Sequence, residues 1–211
     1  MAAPMAYADF VYRTPAGVAV PQQSTSEPLT EYAWVTPDNI DNLMSQEGIT
    51  VTHPNMTSHN VSGYIVSASS EISNKPAWEA FIGGMEFQTG VTWMPSSLSN
   101  QYIQMEFPSP TRITGFGLLS PPAGTSGGGV IDATILVSSD GVNFTQAYDL
   151  NGMPDTYVGS PPDTVLGTSL ARHFLNVFDE TVTHVRLRVD SFIQDGNNNP
   201  AVKALRFYTP Q

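Results

Sequence analysis

Residues 100–119 read NQYIQMEFPSPTRITGFGLL, and the fold turns on them. Ile103, Met105 and Phe107 alternate with Gln104 and Glu106, the period-two pattern of a strand with one dry face and one wet face. Pro108 and Pro110 lack the N–H that a ladder needs, and Thr111 to Leu119 resumes with β-branched and aromatic residues. The stretch predicts two paired strands joined by a tight turn at Pro108–Pro110.

The same pattern recurs on both sides of it. Tyr64–Ser69 is a strand upstream. Downstream, Val130–Ser138 carries Ile131, Ala133, Ile135 and Val137 on one side, Asp140-Gly141 signals a hairpin, and Val142–Tyr148 supplies its second arm. Arg172–Phe178, Val182–Asp190 and Ala201–Tyr208 complete the set. Within Val182–Asp190, Val185, Leu187 and Val189 point inward while His184, Arg186, Arg188 and Asp190 point outward. Eight strands with almost no helix predict an all-β fold, an antiparallel β-sandwich of the jelly-roll kind.

Connection lengths add polarity to this sandwich. With strands alternating in direction, the long connections Ser70–Asn100, Ser120–Gly129, Asp149–Ala171 and Ser191–Pro200 all emerge at one pole. The short ones, Pro108–Pro110, Ser139–Gly141 and Asp179–Thr181, emerge at the other. Elaborated loops on a rigid scaffold are where recognition is expected.

Residues 1–56 read differently from residues 57–211. Pro4, Pro15, Pro21, Pro28, Pro37 and Pro54 come too often for a long helix, and only Pro37–Met44 has a helical pattern, with Asp38 as its cap. Phe10, Tyr12, Tyr32 and Trp34 make the segment more aromatic than a disordered tail. The expectation is an extended N-terminal arm that docks on a partner through these four residues.

Composition narrows the function classes. Charged residues are 13% of the chain, against roughly 25% in typical soluble domains, and the formal net charge is -11. Such a surface repels phosphate backbones and anionic lipid, so neither nucleic acid nor membrane insertion is expected. The absence of cysteine excludes disulfides, thiolate metal sites and cysteine nucleophiles. Met1–Phe10 has no basic, apolar signal-peptide pattern, which predicts synthesis in the cytoplasm.

Several segments together resemble the discoidin or coagulation-factor C-type domain. They are Ser67–Glu71, Ala77–Phe81, Trp93, Gln101–Phe107, Ile113–Phe116, Val137–Phe144, Val185–Val189 and Ala204–Tyr208, in that order. The resemblance spans Thr57 to Tyr208 and implies a galactose-binding-like jelly roll used for carbohydrate, lipid and protein recognition. Met56-Thr57-Ser58, followed by Ser62-Gly63 and Ser67–Glu71, is most similar to versions found in tailed-bacteriophage virion proteins. Many family members hold a structural calcium through an Asp after the Ala-Phe pair and a Glu in the last strand. Ile82 and Tyr208 stand at those positions here, so no metal and no cofactor are expected.

Catalytic signals are weak. His53, His59, His173 and His184 show no metal-ligand spacing. Glu79 with Glu86, or Asp155 with Asp163, are loop acids with no other mark of a glycosidase pair. The run GTSGGG at 124–129 lacks the Lys and the following helix of a phosphate loop. Trp78 and Trp93 fall at framework positions of the resemblance. Met85, Phe87, Tyr157, Asn197, Asn198 and Asn199, at the long-loop pole, are the candidate ligand contacts, since Asn offers donors and acceptors to hydroxyls. The expected function is a non-enzymatic virion structural protein. It would be a tail, baseplate or capsid decoration anchored by its arm, with other virion proteins and copies of itself as partners. The alternative is a carbohydrate-binding module that adheres to cell-surface glycans.

Overall fold

The computed structural model describes residues 10–11, 49–82, 92–120, 128–150, 170–174, 177–192 and 199–210. Two antiparallel sheets face each other. The strands are β1 (Phe10–Val11), β2 (Ile49–Val51), β3 (Asn60–Val61), β4 (Tyr64–Ala68), β5 (Gln101–Ile113), β6 (Gly115–Ser120), β7 (Val130–Ser138), β8 (Thr145–Leu150), β9 (Leu170–Phe174), β10 (Glu180–Phe192) and β11 (Ala204–Pro210). One sheet has the order β1-β9-β6-β11-β2 and the other β3-β4-β5-β10-β7-β8. The all-β sandwich expected from the alternating segments is the observed fold.

The proline stretch is not a turn. β5 runs straight through it to Ile113, because Phe107–Pro110 form a bulge opposite Thr183, between the pairs Glu106↔His184 and Thr111↔Val182. A bulge leaves residues outside the ladder, so the missing proline N–H groups cost nothing there. The chain turns instead at Thr114, whose N–H donates to Tyr208 O (2.8 Å) and whose carbonyl accepts from Val177 N (3.0 Å). This corner carries the chain from one sheet into the other, so β5 and β6 are not partners.

Residues 49–56, expected to belong to the arm, are built into the sandwich. β2 pairs with Tyr208–Pro210, and Met56 is fully buried in the core. The Asp140-Gly141 hairpin is also wider than a two-residue turn. Ser138 Oγ accepts from the Asp140 and Gly141 N–H groups, and Asp140 Oδ1 accepts from those of Val142 and Asn143, which delays β8 to Thr145.

The core lies between the sheets. Ile103, Met105, Ile135, Val185 and Leu187 from one sheet meet Phe116, Leu118, Leu205 and Phe207 from the other. Burying each such side chain contributes roughly 1.5–3 kcal/mol. Phe116 stacks on Phe174 with centroids 4.5 Å apart. Trp93 is fully buried and donates its indole N–H to Ser70 O at 3.1 Å, a framework role as expected, and Trp78 packs against the same core.

Ladder registers fix the poles. Ala68, Gln101, Val130, Leu150 and Phe192 lie at one end of the six-stranded sheet, and Ser120, Leu170 and Ala204 at one end of the other. Val130 N donates to Ser120 Oγ (2.7 Å) and Ser120 Oγ donates to Ala201 O (3.2 Å), which joins these two ends. All four long connections therefore leave from one pole. The additional strands β1, β2 and β3 precede β4 and do not disturb that parity.

Candidate functional site

At the long-loop pole the turn before β5 and the end of β10 enclose a cleft of about 540 Å³, lined by Leu98, Ser99, Asn100, Arg188, Asp190 and Phe192 among others. The turn is held from below. Gln101 is buried, its Oε1 accepts from Ser69 Oγ (2.8 Å) and Ser70 Oγ (2.7 Å), and its amide donates to Ser99 O. Ser70 Oγ in turn accepts from Ser96 N at 3.1 Å. Asn100 completes the turn at φ 56°, a left-handed conformation that Asn tolerates better than most residues.

The lining combines polar and apolar side chains. Arg188 Nε donates to Asp190 Oδ1 (2.5 Å), Arg188 Nη2 donates to Thr134 Oγ1 (2.9 Å), and Thr134 Oγ1 donates to Asp190 Oδ2 (2.6 Å). Because Arg188 and Asp190 alternate with buried Val189, both project from the outer face of the six-stranded sheet. Leu98, 52% exposed, and half-buried Phe192 supply the apolar side. Planar charged groups in a closed triangle beside apolar carbon suit a ligand that has hydroxyls on its edges and C–H groups on its faces.

The outward row of β10 continues away from the cleft. The Arg186 guanidinium carbon lies 3.9 Å from the Tyr102 ring centroid and 3.8 Å from that of Phe144, and its Nε and Nη2 donate to Gln104 Oε1 (3.0 and 2.8 Å). His184 Nε2 follows, 3.5 Å from Glu106 Oε2. In the sequence this row reads as outward-pointing, with no function attached to it. The signal was present: three cationic or imidazole side chains and one acid at alternate positions of one strand, in a chain only 13% charged.

Of the residues expected to contact ligand, Asn199 is described, and its amide donates to Pro95 O at 2.6 Å, so it clamps one loop to another. Met85, Phe87, Tyr157, Asn197 and Asn198 lie outside the described residues, as do Tyr12, Tyr32 and Trp34 of the arm. Phe10 lies in β1, at register with His173 of β9. Glu79 Oε2 accepts from Thr92 N at 3.1 Å, a structural bond, and its suggested partner Glu86 is outside the described residues.

The calcium implied for many relatives does not fit this chain. The Ala80 carbonyl accepts from Arg206 Nη1 at 3.2 Å, so a guanidinium already brings positive charge to the segment that ends at Ile82. Arg206 is buried, and desolvation lowers its pKa to about 10. Among the described residues, no group of three or more His, Asp or Glu side chains could hold a metal ion.

A family model described as the F5/8 type C domain matches residues 65–204. The chain belongs to the F5/8 type C domain family. This F5/8 type C domain is similar in structure to the family 32 carbohydrate-binding module of Clostridium perfringens NanJ, solved in complex with galactose. The two share 15% identity over 70% of this chain and 95% of that one, with a TM-score of 0.51. It is similar to CpGH89CBM32-5 of the same organism, solved with GalNAc-β-1,3-galactose, at 21% identity over 69% and 94% of the two chains and a TM-score of 0.50. The CBM32-1 and CBM32-2 domains of C. perfringens ZmpB match with 13% identity over 83% of this chain and 40% of that one, and a TM-score of 0.56. At these identities the likeness is one of fold. No curated protein matches it.

Proposed function

We propose that the protein is a non-catalytic carbohydrate-binding module whose sugar site is the cleft between Leu98–Asn100 and Arg188–Phe192. The observation that carries this reading is that the triangle of Arg188, Asp190 and Thr134 borders the same cleft that Leu98 and Phe192 line with apolar carbon. Asp190 accepts from a sugar hydroxyl with the lone pairs its two partners leave open, Arg188 donates to the neighbouring hydroxyl, and the ring C–H face lies on the apolar side. Hydrolysis of a glycosidic bond needs two carboxyl groups about 5–10 Å apart, and the described lining presents one, Asp190, which supports binding rather than cleavage. The sugars bound by the structural neighbours support this reading ahead of the virion one expected from the sequence.

Titration calorimetry of the full chain against galactose- and GalNAc-terminated oligosaccharides tests it. Asp190→Asn, which keeps the side-chain shape, should weaken binding by about tenfold with the melting temperature unchanged. Binding to none of these sugars, or an Asp190→Asn variant with unaltered affinity, would refute it. A virion location for the module remains the second reading, carried by the likeness of Met56–Ser58 and the segments after it to virion versions of the domain. It predicts the chain in purified particles by mass spectrometry, and its absence from them would end that reading.

A further inference from the structure

Arg186 lies two residues along β10 from Arg188, on the same outer face, and so about 7 Å from the cleft wall at twice the strand rise. β10 lies between β5 and β7 in the sheet, so Tyr102 of β5 flanks the guanidinium on one side and Phe144, which follows β7, on the other. Both rings sit within 4 Å of the guanidinium carbon, at 3.9 and 3.8 Å, which holds the group in one orientation before any ligand arrives.

Among the described residues no carboxylate pairs with it. Arg112 is bound to Asp179 at 2.7 Å and Arg188 to Asp190 at 2.5 Å, but Arg186 spends Nε and Nη2 on the neutral oxygen of Gln104. Nη1 has no partner among the described residues. The open edge, Nη1 with the second hydrogen of Nη2, is the fork that matches a planar carboxylate. Of the acids on this face, Glu106 lies beside His184, Asp190 pairs with Arg188, and Asp149 stands across Thr134 from Arg188.

Resting on the sugar-binding reading of the adjacent cleft, we propose that Arg186 makes this module selective for saccharides that carry a carboxylate. One ring occupies the cleft, and an acid group on it or on the next ring docks on the Arg186 fork. The net charge of -11 opposes densely charged polyanions, so the ligand class is one with isolated acid groups, such as uronic-acid sugars.

α-1,4-Linked galactobiose and digalacturonic acid differ only in the oxidation of C6, and titration calorimetry of the full chain against both tests the inference. The acid should bind about tenfold or more tighter, as expected for a charge-assisted, two-pronged hydrogen bond. Arg186→Lys keeps the charge and loses the fork, so it should remove most of that preference while leaving the galactobiose affinity unchanged, with a lower melting temperature from the lost Tyr102, Phe144 and Gln104 contacts. Arg186→Met should remove the preference entirely. Equal tightening by galactobiose sulfated at C6 would overturn the fork in favour of plain charge attraction. Galactobiose binding without preference for the acid, or a preference that survives Arg186→Met, would overturn the inference alone. If neither disaccharide binds, the sugar reading falls with it.

Discussion

Lowering the pH from about 8 to about 5 should destabilise this protein through one buried imidazole. His53 is 8% exposed and packs edge-on against Phe81 (centroids 5.2 Å apart) and Phe207 (6.4 Å). Its Nε2 is buried without a hydrogen-bond partner. Desolvation, reinforced by the positive charge of Arg206, lowers its pKa from 6.5 to about 3. The unfolded chain therefore binds a proton at His53 that the folded chain refuses. Stability is fully present above pH 6.5 and is lost as the pH falls toward about 3. At pH 5 the unfolded imidazole is protonated in a ratio of about 30 to 1, which corresponds to about 2 kcal/mol. For a chain of this length that is a fall in melting temperature of roughly 4–8 °C. The carboxyls of Asp140 and Asp179 are held below the usual range, by backbone N–H groups at Asn143 and by Arg112 respectively, so their contribution is lost only at lower pH. Urea unfolding at steps between pH 8 and pH 5 measures the effect, with His53→Phe as the comparison because it keeps a ring and cannot titrate. A wild-type profile that is flat across this window, or one that His53→Phe reproduces, would refute the reasoning.

Trp93→Ala should cost about 3–5 kcal/mol in urea unfolding, since it empties a fully buried site and leaves the Ser70 carbonyl without its indole donor. Gly141→Ala should cost about 1–2 kcal/mol by the same measurement. Gly141 has φ 72°, and a Cβ there would lie 2.7 Å from His184 Nε2, so both the backbone and the imidazole must give way.

The outline of the fold was legible because its signal is repeated locally. β5 and β10 alternate as their sequences do, with Ile103, Met105, Val185 and Leu187 inside and Gln104, Arg186 and Arg188 outside. The clustering of long connections at one pole followed from counting strands. The role of Pro108 and Pro110 did not, because a missing N–H says where a ladder is interrupted and not whether the chain bends or bulges there. That choice is made by Thr183 on β10, some seventy residues away. The proposed cleft was not legible for the same reason. Asp190 and Thr134 are 56 residues apart, and Arg186 meets Tyr102 and Phe144 only because β10 is inserted between β5 and β7. The loop residues that sequence favours for contact are chosen by type, whereas the cleft is assembled by sheet order.

The edges of the two sheets have a consequence for behaviour in concentrated solution. An exposed sheet edge is a template on which another chain can add a strand. Here β1 and β2 border one sheet and β3 one side of the other, and these three edge strands are only two or three residues long. Each offers too few unpaired N–H and C=O groups to seed growth, and the surplus of negative charge adds mutual repulsion. At these three edges, copies crowded at high local density have little to zip onto, which leaves the six-residue β8 as the edge at which strand addition would start.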